Sequence, residues 1–248
     1  MNSKKKKIVC IIPARYGSTR LPGKPLADLC GKPVIQWTCE QVGKRFDYIV
    51  ATDDERIKKA VESFGGKAMM TRKDHVSGSD RIAEVAEKID ADIIVNVQGD
   101  EPFINPNQIA EAVAPLLEEP DLMMSTLCRK ITSEHELKKL GVVKVVFDNT
   151  GNALYFSRSI IPYPRKAEYA KHYEHIGMYV YRKDFLLKYI QWEPTKKELA
   201  ESLEQLRVLD NGYNIRVIET KYDSGAPCID TPEDLTQAKK YIEENKLE

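Results

Sequence analysis

Residues 8–12 place Ile8, Val9, Ile11 and Ile12 in a nearly continuous apolar run. A strand with no polar face must be covered on both sides, which fits a sheet between helical layers. The same kind of run recurs at intervals. Strands are predicted over 7–12, 48–52, 67–71 and 92–97. Between them lie helical segments. One runs from Pro33 through Lys44, and a second starts at Asp53 and Asp54 and runs to about Phe64, where Gly65 and Gly66 break it. A third spans 79–88, with Ile82, Val85, Ala86 and Ile89 at helical spacing. Such alternation predicts an α/β fold: a mainly parallel mixed sheet with helices on both faces.

The pattern changes after about Leu122. Strands are predicted over 123–129, 142–148, 153–157 and 176–181, with only a short helix from Ser133 through Lys139 among them. Residues 148–152, Asp-Asn-Thr-Gly-Asn, suit a hairpin turn. Helices return at 184–191, 202–211 and 231–244, with a strand at 215–220. The expectation is a single domain over 1–248 that contains a β-rich segment at about 122–181.

The first strand runs directly into a loop that carries Arg15, Arg20 and Lys24 among Gly17, Ser18, Thr19 and Gly23. Pro13, which lacks an N–H, is expected to stop the ladder. Small residues let backbone N–H groups approach an anion. Guanidinium groups grip phosphate bidentately, while a lysine acts as a point charge. At the carboxyl end of a sheet strand, these are the parts of a triphosphate cradle. The loop is neither G-x-G-x-x-G nor G-x-x-x-x-G-K-[ST], so dinucleotide binding and Walker-type chemistry lose support. The plain alternative is a basic surface loop.

Balanced charge narrows the partners. With 38 basic and 38 acidic residues the formal net charge is zero, which argues against nucleic acid. Lys4 to Lys7 read as a solvated tail. No apolar run approaches the roughly 20 residues of a membrane span. Pro13, Arg15 and Arg20 interrupt any signal-peptide core, so no membrane partner is expected. The five cysteines are scattered without C-x-x-C spacing, as expected of reduced thiols in a cytoplasmic protein.

Two further words carry chemistry from their residues. In Val95-Asn-Val-Gln-Gly-Asp-Glu-Pro102 an apolar strand delivers Asp100 to the sheet rim, where a carboxylate is placed to hold Mg²⁺; the alternative is a plain turn. In the segment 71–81, Ser77, Gly78 and Ser79 offer neutral donors and acceptors at a helix start, with Thr71 at its head. Such groups suit the edge of a pyrimidine, and equally an ordinary capped turn. A third word, Cys228-Ile-Asp-Thr-Pro-Glu-Asp-Leu235, has the marks of a helix N-terminus with Thr231 as the better cap.

The stretch Ile11 to Leu26 closely resembles the signature of the sugar-acid cytidylyltransferases, and the resemblance recurs to Leu235; after Gly141 it is to the members that activate 3-deoxy-D-manno-octulosonate (Kdo). It implies a glycosyltransferase-A-like nucleotidyltransferase fold with a dimerisation insertion. It implies that Asp230 joins Asp100 at the Mg²⁺ ion, giving a catalytic set of Arg15, Lys24, Asp100 and Asp230. Nucleotide contacts would come from Arg15, Ser18, Arg20, Lys24, Thr71, Ser77, Gly78 and Ser79. Sugar-acid contacts would come from Gln98, Arg158, His175, Glu204 and Gln205. Each of the last four has a duller explanation, such as an interior histidine or a Glu204–Arg207 helical pair. The expected reaction is CTP plus Kdo giving CMP-Kdo and pyrophosphate for lipopolysaccharide synthesis, in a homodimer, with no general base assigned. The rivals are 8-amino-Kdo or sialic acid as acceptor, and a catalytically silent nucleotide-binding protein.

Overall fold

The computed structural model describes residues 6–18, 20–222 and 225–247. Lys4 and Lys5 of the basic tail and Thr19 of the loop lie outside the described residues. Lys6 and Lys7 reach Asp92 and Asp90 on the surface at 3.2 and 3.4 Å, so this end of the tail is paired.

Two compact units are present: residues up to Ile109 with those from Tyr222 onward, and Ala110–Lys221. The first contains β1 (Ile8–Ala14), the short pair β2 (Asp28–Leu29) and β3 (Lys32–Pro33), and α1 (Val34–Gly43). It continues with β4 (Tyr48–Thr52), α2 (Glu55–Ser63), β5 (Ala68–Met70), α3 (Gly78–Lys88) and β6 (Ile93–Asn96). The division falls inside α4 (Pro106–Glu118). The second unit holds β7 (Met124–Lys130), α5 (Glu134–Leu137), β8 (Lys144–Phe147), β9 (Ala153–Ser157) and β10 (Tyr173–Arg182). It ends with α6 (Lys183–Tyr189), α7 (Lys196–Glu201), α8 (Leu206–Asp210) and β11 (Ile215–Glu219), and the chain returns to the first unit as α9 (Pro232–Asn245).

In the first unit the strands run β6-β1-β4-β5, all parallel. Ile11, Ile12, Val50, Ile93, Ile94 and Val95 are fully buried, as an apolar central strand requires. Pro13 does not end β1, which pairs with β4 through Ala14 and Thr52. The β6 ladder finishes at Ile11 and Asn96, with Val97 N–H donating to the Ile11 carbonyl. Backbone groups alternate sides along a strand, so the missing N–H of Pro13 faces the side where the ladder is already finished, and nothing is lost. Gly99 fills that side: a Cβ on it would stand 2.9 Å from the Pro13 carbonyl oxygen.

In the second unit β7 is flanked by β11, parallel, and β10, antiparallel, and β10-β8-β9 continue antiparallel. A bulge shifts the β10 register between Ile176 and Tyr179. The strand foreseen at 176–181 begins earlier, at Tyr173, which pairs with Lys130 and Val145. The helix expected over 202–211 is a single shorter one, α8 at Leu206–Asp210. Ser202 takes a left-handed conformation (φ 52°) and ends α7, and α8 starts only after Gln205.

The return of α9 is what builds the site. Its Ala238 and Ile242 pack with Ile229 against Leu29, Val34 and Trp37, whose indole N–H donates to the Leu29 carbonyl at 2.8 Å. Phe103 packs at a tilt against Tyr241, with ring centroids 4.8 Å apart, and against Trp37 at 6.3 Å. Each fully buried apolar side chain here contributes about 1.5–3 kcal/mol.

Candidate active site

Above the carboxyl ends of β1 and β6 lies a cleft of about 300 Å³. Arg15, Ser18, Arg20, Lys24, Ser77, Gly78, Gln98, Asp100 and Asp230 all line it. Its shape follows from local chain geometry. Gly23 adopts φ 71°, a conformation that favours glycine, and a Cβ there would meet the Tyr16 ring at 3.1 Å. Arg56 lies over the other reach of that ring, 3.4 Å from its centroid, and its guanidinium is held by Asp54 at 2.7 Å. With Gly23 so fixed, a single 3₁₀ turn, Lys24–Leu26, starts at Lys24.

Lys24 is the centre of the site. Its Nζ stands 2.5 Å from Asp100 Oδ2 and 3.0 Å from Asp230 Oδ1. Burial lowers the affinity of the amine for its proton, but the two carboxylates outweigh it and raise the pKa. Arg20 Nη2 adds a contact of 3.1 Å to the same Asp230 oxygen. The carboxylates meet because Ile229 N–H donates to the Asp100 carbonyl at 2.9 Å. The α9 cap then leaves Asp230 free to face the cleft. Thr231 accepts from Asp234 N–H, and the Asp234 carboxylate accepts from the Thr231 and Asp230 N–H groups. Thr231 is thus the cap, as its residues suggest.

Two carboxylate oxygens bracketing one cation are a hard-oxygen donor set of the kind Mg²⁺ takes, with other positions left to phosphate and water. Among the described residues no three His, Cys, Asp or Glu side chains cluster to hold a metal by themselves. Next in sequence, burial and the Asp100 charge push the Glu101 carboxyl up to about 8.

The wall formed by the 71–81 segment contains groups not foreseen. Arg81 is buried and lines the cleft; it donates to Thr71 Oγ1 at 2.5 Å and to Asp53 Oδ2 at 2.9 Å. Thr71 serves this brace and does not line the cleft, and Ser79 is buried in the first turn of α3. Ser77 caps α3 in a reciprocal box with Asp80, which leaves Gly78 and Ser77 at the surface of the cleft. His75, also on the wall, bonds Glu84 at 2.6 Å. Burial works against that carboxylate's charge, but hydrogen bonds from Lys88, the Arg72 N–H and His75 bring its pKa to about 2. Arg81 stands at the end of the S-G-S-D-R word, and only its depth, invisible in sequence, reveals its task.

Gln98 lies on the cleft wall, its amide donating to Asn96 Oδ1 at 3.2 Å. The other expected acceptor residues belong to the Ala110–Lys221 unit. Arg158 turns its guanidinium to the carbonyls of Glu201, Leu140 and Ser202 at 2.9, 3.2 and 3.4 Å. Three of its five N–H groups are so engaged. Buried His175 bonds Thr126 Oγ1 at 2.9 Å, and that hydroxyl donates to the Met178 carbonyl at 2.8 Å, so the histidine is the donor through Nε2. Burial drives its pKa down to about 3, which keeps the ring neutral. Glu204 and Gln205 sit in the turn before α8, not inside a helix. Arg207 pairs with Glu198 at 2.5 Å. Gln205 is buried, and its side-chain Nε2 has no hydrogen-bond partner among the described residues. A buried amide donor left open is costly unless something else accepts from it.

The cytidylyltransferase family model matches residues 9–218. The 3-deoxy-manno-octulosonate cytidylyltransferase of Geobacter metallireducens is 53% identical over 243 residues, 92% of this chain and 95% of that protein. The protein of the same name from Geotalea uraniireducens is 54% identical over 243 residues, 92% of this chain and 96% of its own. Among solved structures, CMP:2-keto-3-deoxy-manno-octonic acid synthetase complexed with CTP matches with a TM-score of 0.91 at 48% identity, over 96% of this chain and 99% of that one. The 4-diphosphocytidyl-2C-methyl-D-erythritol synthase of Anaerococcus prevotii, at 17% identity and a TM-score of 0.62 over 96% of this chain and 99% of its own, shares the fold. The architecture is thus the α/β nucleotidyltransferase fold, and the chain belongs to the 3-deoxy-manno-octulosonate cytidylyltransferase family.

Proposed function

We propose that the chain transfers CMP from CTP to the anomeric hydroxyl of Kdo, releasing pyrophosphate and supplying CMP-Kdo for lipopolysaccharide synthesis. The observation that carries this reading is the meeting of Lys24, Asp100 and Asp230 beneath the Arg15–Arg20 loop. A dianionic or trianionic leaving group needs cations already in place, and most of the acceleration in phosphoryl transfer comes from positioning and charge neutralisation. Arg15, Arg20 and Lys24 hold the departing phosphates, and Ser18 adds a hydroxyl at the loop. Ser77 and Gly78 present neutral groups to the cytosine edge. Thr71 and Ser79 support them from behind, within a wall braced by Arg81.

Asp100 and Asp230 are the residues that would hold Mg²⁺. When bound, the ion supplies neutralisation of phosphate charge and acidification of a neighbouring hydroxyl. Gln98, Arg158, His175, Glu204 and Gln205 serve the sugar acid. The two uncommitted N–H groups of Arg158 suit a carboxylate, and the open Gln205 Nε2 suits a ring hydroxyl. Neutral His175 contributes orientation and no charge. The enzyme works as a homodimer in the cytoplasm, where its free cysteines stay reduced.

The test is pyrophosphate release across CTP, UTP, ATP and GTP, each with Kdo, 8-amino-Kdo and sialic acid. CTP with Kdo should be the fastest pair. Faster turnover with a purine nucleotide or with another sugar acid would overturn the corresponding half of the assignment. CTP binding without pyrophosphate release from any acceptor would identify a silent nucleotide-binding protein.

A further inference from the structure

The Asp100–Asp230 pair already has a cation, and it is the chain's own. Lys24 Nζ contacts one oxygen of each carboxylate, at 2.5 and 3.0 Å, and Arg20 Nη2 contacts Asp230 at 3.1 Å. Two carboxylates thus face two of the chain's own cations. An ammonium lying between two carboxylates occupies the place where a dication would touch both.

We propose that Lys24 is a resident counter-ion that keeps free divalent metal off Asp100 and Asp230 until a nucleotide polyphosphate draws its ammonium away. The inference rests on the reading of this pair as metal holders. It adds an order of events: metal enters with the nucleotide, not before it.

The geometry around Lys24 suits such an exchange. Its backbone is pinned, because Gly23 is left-handed against the Tyr16 ring and Pro25 follows directly in the 3₁₀ turn. Only the four-carbon stem can move. The same cleft wall carries Arg15 and Ser18, so phosphates bound there lie within the sweep of that stem. When the ammonium shifts from carboxylate to phosphate, the carboxylates lose one charge partner just as the nucleotide's own metal arrives. No charged group is left alone in the part-buried site. A metal that competes with Lys24 must bind less tightly by whatever factor the ammonium contributes. Couplings between sites commonly amount to roughly 5–150-fold.

Mn²⁺ binding without nucleotide, followed by the loss of the free-ion electron paramagnetic resonance signal, tests this directly. Wild type should bind weakly, and Lys24→Gln, which is one bond shorter and keeps polarity but no charge, should bind at least about tenfold more tightly. Lys24→Arg should stay weak, because the positive charge remains. Adding Asp100→Asn to Lys24→Gln should abolish the gain. A measurement on wild type alone covers the case in which Lys24→Gln fails to fold. In ε-¹⁵N-lysine NMR, the Lys24 ammonium signal should resist millimolar Mg²⁺ and move when a non-hydrolysable CTP analogue is added. Displacement of that signal by Mg²⁺ alone overturns the proposal. So does equal Mn²⁺ affinity in wild type and Lys24→Gln. If Mn²⁺ binds to none of these forms even with the analogue present, the metal-holding reading of the carboxylates fails as well.

Discussion

At the scale of single residues, the site depends on charges whose value comes from their neighbours. Asp100→Asn and Asp230→Asn keep shape and remove charge. Each should lower kcat by on the order of a hundredfold or more, as loss of transition-state electrostatics does. The double variant should be far less than multiplicatively worse, because both side chains face one cation. Pyrophosphate release at saturating Mg²⁺ checks this, and near-normal turnover in either single variant would refute it. His175 supplies a prediction of a different kind. Between its ordinary pKa of 6.5 and its folded value of about 3, the unfolded chain binds a proton that the folded chain refuses. Stability is therefore intact above pH 6.5 and falls on acidification, by roughly 3 kcal/mol at about pH 4. His175→Gln retains an N–H for Thr126 and cannot titrate. Urea midpoints from pH 7 to 4 should fall less steeply for this variant than for wild type, and parallel slopes would show that other groups dominate.

At the scale of elements, caps and turns do the placing. Thr231→Ala removes one half of the α9 capping box and should cost about 1 kcal/mol, read as a lower thermal midpoint. Since Asp230 precedes that cap directly, the variant should also lose activity beyond what the stability change explains. Unchanged specific activity would separate cap from site. Elements of this sort differ in how plainly the sequence announces them. The strands β1, β4 and β6 are legible because burial on both faces leaves an uninterrupted apolar run. Ser133 and Thr231 are legible as caps because hydroxyl and acid stand three residues apart. By contrast, α4 gave no separate signal: it is apolar on much of its surface and contains Pro115. The break at Ser202 is illegible for another reason, since a serine at φ 52° is held there by tertiary context, not by local preference. The cleft residues followed the same division. Arg15, Lys24 and Asp100 sit in local words, whereas the Arg81–Asp53 brace joins positions 28 residues apart.

At the scale of the whole molecule, the second unit carries apolar side chains that its own core does not use. Leu140, Leu154, Tyr163, Tyr169 and Leu199 are all exposed there. Where such groups form a contiguous patch, a second copy of the same chain is a natural cover for it. Sedimentation at micromolar concentration should show twice the chain mass, and Leu140→Glu with Leu154→Glu should shift it toward one; a wild-type chain that sediments as a monomer contradicts this. The topology also has a consequence in time. Synthesis proceeds from the amino end, so β1, the cation loop and Asp100 are available for folding long before Asp230 has left the ribosome. The Leu29–Val34–Trp37 cluster of the first unit is completed only when α9 docks on it. A chain stopped short of Ile229 would have a phosphate cradle and one carboxylate, and Lys24 would have a single partner. The stretch around Asp230 thus acts as a late completion step: Lys24 gains its second carboxylate only once a segment 206 positions further along has been made.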